Sequence, residues 1–351
     1  MRFGKPRGRA GPVRCVLHIG TEKTGTTLLQ EWLYRNREAL HRQGVHLSTG
    51  LGNKNNFYIS EFFQSEIDDW ARGAGLFTLA DKAHFFRNFE VAISQEFRRA
   101  AARYDVLLIT SEFLHSRLSR RGDIARLADF LSGFCTQIDV ICYFREQSSM
   151  ATSRYTTELL RDCTLELDDF LREDARPANY YYDFKAIADN WSAVFGAASC
   201  HFRIYDRERF IGRDIRTDFL AGLGSGVDPE ALDYSEVPCN PALKRLQAEA
   251  MLAVNRAIPY FMPGTHEVDA RNLRLKRQLL CLEALRKGVL RSPSAGDIAA
   301  RFVAINEALF DCHFDGAYLF AAVENEDQTG IDPCDAGLVR ETVERLVATG
   351  P

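Results

Sequence analysis

The chemistry-bearing residues of this chain fall into three sets. The first is the run Gly20-Thr21-Glu22-Lys23-Thr24-Gly25-Thr26-Thr27. Two glycines bracket a turn, and Gly25 lets the backbone bend tightly and come close to a ligand. Converging backbone N–H groups and the start of a helix at Thr26 favour an anion there. Lys23 supplies a full positive charge, and Thr24, Thr26 and Thr27 supply hydroxyl donors. The second set is Arg145 with Ser153, eight residues on in the following helix. An arginine fork offers paired donors in one plane, which suits a terminal phosphate. The third set could move a proton: Glu112 first, then Glu22 beside Lys23, then His115. His18 interrupts an apolar run and reads as a core histidine.

Regular elements must hold these groups in place. Val16, Leu17 and Ile19 form a buried strand before the loop, and Leu28, Leu29, Trp32, Leu33 and Leu40 mark one face of the helix after it. Strands are expected at residues 44–47, 104–110, 137–144 and 200–205. Helices are expected at 83–104, 120–134 and 206–223. This alternation predicts an α/β fold, a P-loop-like parallel sheet with helices on both faces. Ligands of such sheets bind at the carboxyl ends of the strands. The loop after Ile19, the turn Ser111–Glu112 and Arg145 then share one rim.

Phe57 to Ala80 is aromatic and acidic without a regular period, so it is either a packed surface layer or a pocket lid. Glu158, Arg161, Asp162 and Tyr180-Tyr181-Tyr182 suit a helix–loop junction better than an acceptor site. Beyond Pro241 the pattern is helical, notably at Leu273–Leu290 and Ile298–Phe310, as expected of a helical C-terminal cap. The expected organisation is a disordered basic leader over 1–13, an α/β core over 14–225 and a helical C-terminal region over 226–351.

The nucleotide-hydrolase pattern G-x-x-x-x-G-K-[ST] is not met, because Thr26 stands where its lysine belongs. Lys23-Thr24-Gly25-Thr26-Thr27 instead resembles the 5'-phosphosulfate loop of the sulfotransferase superfamily. Arg145-x7-Ser153, with Tyr155 two residues later, resembles that family's 3'-phosphate motif. Thr110-Ser111-Glu112, Trp191 to Gly196 and Asn240-Pro-Ala-Leu243 look like bacterial members, and the resemblance covers roughly Val13 to Leu220. Arg286-Lys287-Gly288 is similar to a C-terminal phosphate-binding tripeptide of animal cytosolic sulfotransferases. It lies in an amphipathic helical run and is read as coincidence.

The resemblance implies 3'-phosphoadenosine 5'-phosphosulfate (PAPS) as the sulfuryl donor. Thr24 to Thr27 would hold its 5'-phosphate and sulfonate oxygens, Lys23 its bridging oxygen, and Arg145 and Ser153 its 3'-phosphate. Glu112 is the first choice of base for a hydroxyl or amine acceptor, a small molecule or glycan with carbohydrate expected. No metal is expected, since the transferred group carries little charge and Lys23 can screen it. Two rival readings remain at this point: a P-loop nucleotide kinase or hydrolase, and a non-catalytic nucleotide-binding relative.

Composition sets the outer bounds. Lys and Arg number 44 against 48 Asp and Glu, a net charge of −4, which gives no general case for a nucleic-acid partner. The nine cysteines form no CxxC pair, so reduced, mostly buried thiols of a cytoplasmic protein are expected. No apolar stretch approaches bilayer-spanning length, and no stable membrane insertion is expected.

Overall fold

A computed structural model describes residues 13–224, 226–237, 243–262, 264–265, 267–325 and 332–349. The expected leader over 1–13, apart from Val13, and the Asn240-Pro-Ala segment lie outside the described residues. In chain order the elements begin β1 (Arg14–His18), α1 (Thr26–Arg35), α2 (Arg37–Arg42), β2 (Val45–Leu47), α3 (Phe57–Phe63) and α4 (Asp69–Gly73). Next come α5 (Leu79–Phe85), α6 (Phe89–Ala101), β3 (Val106–Thr110), α7 (Phe113–Arg117), α8 (Arg121–Ser132) and β4 (Gln137–Phe144). They continue with α9 (Gln147–Leu159), α10 (Leu167–Asp174), α11 (Phe184–Phe195), β5 (Cys200–Ile204) and α12 (Ile215–Leu223). The rest is helical: α13 (Arg245–Ala257), α14 (Ala270–Cys281), α15 (Ala295–Ala300), α16 (Val303–His313) and α17 (Pro333–Thr349).

The five strands form one sheet in the order β2-β3-β1-β4-β5, every pair parallel. This is the expected α/β architecture, with β1 at the centre between β3 and β4. Alternate side chains of each strand point to opposite faces. On one face Val16, Leu108, Ile141 and Tyr143 pack with Leu29, Trp32 and Leu33 of α1 and Phe219 of α12. On the other, the Phe144 ring stacks on Phe184 of α11 at 4.8 Å. Each buried side chain of this size contributes about 1.5–3 kcal/mol, so both layers fix the sheet firmly.

The chain divides into two compact units. One unit comprises residues 1–145, 183–239 and 306–319 and holds the whole sheet. The second comprises 146–182, 240–305 and 320–351. Inside it, Asn255 of α13 donates to the carbonyls of Leu159 (3.0 Å) and Cys163 (2.8 Å), which satisfies acceptors at the end of α9.

Three helical expectations change. The helix expected over 83–104 breaks into α5 and α6. Thr78 starts α5 with a reciprocal capping box to Asp81, and Phe86 and Phe89 on either side of the break both reach the ring of Tyr58. Packing of those aromatics outweighs helix continuity. The helix expected over 206–223 shortens to α12, because Gly212 and Arg213 take left-handed angles and Asp214 caps the new start. Arg286-Lys287-Gly288 lies outside any helix. α14 has already ended at Cys281, and Gly288 turns at φ +71° so that its carbonyl accepts from the Arg245 N–H at 3.3 Å.

Only the first part of Phe57 to Ala80 is a packed layer; residues 72–75 and 77–80 are exposed. Ile59, Ser60, Glu61 and Phe63 of α3 are buried, and Phe57 meets Trp70 and Phe113 edge-on. Tyr181 and Tyr182 are likewise buried, with Arg154 stacked 4.4 Å over the Tyr181 ring. The eight described cysteines are free thiols. Among the described residues no helix is long and apolar enough to cross a membrane.

Candidate functional site

The loop after β1 stays tied to the sheet. Ile19 and Thr21 continue the pairing by donating to the carbonyls of Ile141 (3.0 Å) and Tyr143 (2.9 Å). Thr21 Oγ1 also donates to Tyr143 O at 3.0 Å, and Thr24 Oγ1 closes the turn on Thr21 O at 2.5 Å. Lys23 (φ +65°) and Gly25 (φ +72°) both take left-handed angles, with Thr24 between them outside that region. Alternation of this kind turns successive N–H groups toward one side and forms an anion nest. A left-handed lysine is strained, and such strain collects at functional sites. Thr24 and Thr26 are buried, Lys23 is half-buried and Thr27 is exposed at the first turn of α1.

Two strand ends close on this loop. After β3, Glu112 packs directly against Gly20: a Cβ at Gly20 would lie 3.0 Å from Glu112 Cα. Only glycine tolerates that approach and the φ of +98° together. Gln30, buried on α1, donates from Nε2 to Glu112 Oε2 at 2.5 Å. Burial pushes the Glu112 carboxyl up to about 7, and the hydrogen bond from Gln30 opposes that rise. Glu112 can therefore hold or release a proton near neutrality. The neighbouring Ser111 hydroxyl is buried with no hydrogen-bond partner.

Glu22 and His115 also meet. The Glu22 backbone N–H donates to His115 Nδ1 at 3.4 Å, and His115 is fully buried. His115 thereby braces the loop from behind. His18 is a core group: buried, 2.8 Å from Thr110 Oγ1, edge-on to Tyr143 and Phe219, and lowered to about 3 by burial. Its Nε2 has no partner.

After β4, Arg145 donates from Nη1 to Lys23 O at 3.1 Å, and its guanidinium lies 5.7 Å over the ring of Tyr205. Tyr205 follows β5, and a Cβ at Gly25 would meet its ring and hydroxyl at 3.1 Å. Ser153 lies on α9 in the second unit, where its carbonyl accepts from Thr156 Oγ1 at 2.7 Å. The first unit therefore brings together Lys23, Glu112, Glu22, His115 and Arg145, and adds Gln30 and Tyr205.

Sequence reading missed those two. Tyr205 carried a usable signal, since it ends the last strand on the same rim. Gln30 carried a weaker one, a polar residue among the apolar positions of α1. Among the described residues no group of three or more His, Cys, Asp or Glu side chains could hold a metal ion.

Fold and rim define a P-loop-like α/β protein whose loop, carboxylate and arginine sit at the ends of adjacent strands. No protein-family model matches the chain. An uncharacterized protein of Archaeoglobus fulgidus is 28% identical over 153 residues, 43% of this chain. That match spans 39% of the relative's own length. Two solved structures align with 80% of the chain. One is the sulfotransferase from Alicyclobacillus acidocaldarius, 18% identical, fully covered, with a TM-score of 0.38. The other is the sulfotransferase domain of the Synechococcus PCC 7002 olefin synthase, 16% identical, 97% covered, with a TM-score of 0.35. At these identities and scores neither alignment speaks to activity.

Proposed function

We propose that this protein transfers a sulfuryl group from PAPS to a hydroxyl or amine of an acceptor, with carbohydrates the first class to test. The observation that carries this reading is the packing of Glu112 on Gly20, at the mouth of the loop that bears Lys23. It joins a cationic anion nest to a carboxylate poised near neutral pH.

The residues fit the donor. Left-handed angles at Lys23 and Gly25 shape a nest for the 5'-phosphate, and the orphaned Ser111 hydroxyl supplies a polar group at the same rim. Arg145 and Ser153 are the pair that motif resemblance assigns to the 3'-phosphate. When bound, the donor supplies an activated sulfuryl group. Glu112 takes the acceptor proton as the acceptor oxygen or nitrogen bonds to sulfur and the bond from sulfur to the phosphate oxygen breaks. Lys23 screens the charge gained by that departing oxygen.

Incubation with 35S-labelled PAPS and a glycan panel tests the reading. Label should reach an acceptor with wild type and not with Lys23→Ala. Transfer by Lys23→Ala at the wild-type rate would refute the role of the loop.

A further inference from the structure

A cavity with both polar and apolar lining lies away from the donor loop, at the outer edge of the sheet. It has a volume of about 460 Å³. Its wall includes His46 of edge strand β2, Thr49, Glu96 and Arg99 of α6, and Arg103 and Tyr104 just after that helix. A spacing of three places Glu96 and Arg99 on one face of α6, and Arg103 follows in the turn beyond Ala101. Strand β3 separates β2 from β1, so this cavity and the loop after β1 are different places in the same unit.

The acid in this wall is already used. Glu96 accepts from His46 Nε2 at 2.9 Å, from Thr49 N at 3.4 Å and from Gly50 N at 3.2 Å. Burial alone would raise its carboxyl, but these hydrogen bonds outweigh burial and hold it below the usual range. Arg99 and Arg103 are different. Both are exposed, and neither has a carboxylate within ion-pair distance among the described residues. The wall thus carries two guanidinium groups without an ion-pair partner among the described residues, Arg99 near the end of α6 and Arg103 just beyond it. His46 Nδ1 is buried with no hydrogen-bond partner. Behind the wall His41 stacks on His46 at 5.2 Å and 16°, and Tyr104 lies 5.2 Å from both rings. These three rings form a stiff aromatic surface.

We propose that this cavity binds a ring-bearing small organic oxyanion. Arg99 and Arg103 grip its anionic group, and the Tyr104 and His46 rings pack against its body. A pair of planar forks suits sulfate, phosphate and carboxylate oxygens alike. The volume falls in the range of small-molecule sites, roughly 300–1,000 Å³. None of this depends on the sulfuryl-transfer reading.

Calorimetric titration of the full chain with p-nitrophenyl sulfate, p-nitrophenyl phosphate, benzoate and inorganic sulfate provides the test. Each titration is repeated on Lys23→Ala, so that any heat arising at the donor loop is recognised and separated from heat arising at this cavity. At least one aromatic anion should bind saturably and more tightly than inorganic sulfate. The Arg99→Ser/Arg103→Ser variant should weaken it by about tenfold or more. Arg98→Ser is the charge control: it removes one positive charge from α6, against two in the double variant, at an arginine that lies outside the cavity wall and 5.9 Å over the Phe134 ring. It should bind like wild type. Comparing the three aromatic anions identifies which oxyanion is preferred. No saturable heat from any of them up to about 10 mM would overturn the proposal. Equal loss in Arg98→Ser and the double variant would overturn it too, by reducing the effect to general charge.

Discussion

Gln30 and Glu112, 82 residues apart in the chain, meet at the rim, the Gln30 side-chain amide donating to Glu112 Oε2 at 2.5 Å. Burial alone would drive the Glu112 carboxyl further toward its protonated form; the amide restrains it near neutrality. A base must be ionised to accept a proton, so the transfer rate should fall as pH drops below about 7. Gln30→Leu deletes the donor to the charged form. A hydrogen bond to a charged group is worth roughly 1.5–3 kcal/mol, so the acid limb of the rate profile should move up by about one pH unit or more. A uniform loss of rate with an unmoved limb would assign Gln30 to packing alone.

Gly25 carries two constraints at once, a φ of +72° and the Tyr205 ring 3.1 Å from where a Cβ would sit. Gly25→Ala should lower stability by about 1–2 kcal/mol in urea unfolding. It should also weaken 3'-phosphoadenosine 5'-phosphate, since the ring and the loop must part. Tyr205→Ala in the same background should recover part of the stability. No recovery would place the strain in the backbone alone.

Arg145 touches the loop through Lys23 O, so its removal loosens the turn as well as any 3'-phosphate contact. Comparing two ligands separates these effects. Arg145→Ala should weaken 3'-phosphoadenosine 5'-phosphate about tenfold or more beyond its effect on adenosine 5'-phosphate, as expected for a lost charge-assisted hydrogen bond. Arg145→Lys should not restore the difference, because an ammonium lacks the planar fork. Equal losses for both nucleotides would confine Arg145 to bracing the loop.

Glu61 of α3 is fully buried, with Arg117 Nε 2.7 Å from its Oε1 and Lys82 Nζ 3.8 Å from its Oε2. Burial, helped by Asp68, nevertheless raises its carboxyl to about 7. Between about 4.5 and 7 the native state therefore holds more protons at this site than the unfolded chain. Stability should fall as pH rises through that window. Glu61→Gln removes the titration, so the decline of Tm between pH 5 and 7 should become shallower. An unchanged slope would move the effect elsewhere, Glu112 being the next group with the same sign.

Local pattern carried much of this structure. Val16, Leu17 and Ile19 before two glycines and an amphipathic helix announced β1, the loop and α1, while Glu112 and Arg145 stand at the ends of the two strands that flank β1. What escaped reading depends on distant partners. Gln30 looks like one more helix residue until β3 brings Glu112 beside it. The break between α5 and α6 comes from Phe86 and Phe89 packing on Tyr58, a contact no local period encodes. The assignment of residues 146–182 to the second unit likewise follows from long-range packing, with no composition shift at residue 145 to mark it.

The most direct measurement is a calorimetric titration of the full chain with 3'-phosphoadenosine 5'-phosphate in EDTA, set against ATP with magnesium. Micromolar binding of the former is expected, with Lys23→Ala weakening it about tenfold or more and ATP binding more weakly. Tight binding of magnesium ATP, with no heat from 3'-phosphoadenosine 5'-phosphate, would contradict the assignment of this loop to a sulfuryl donor.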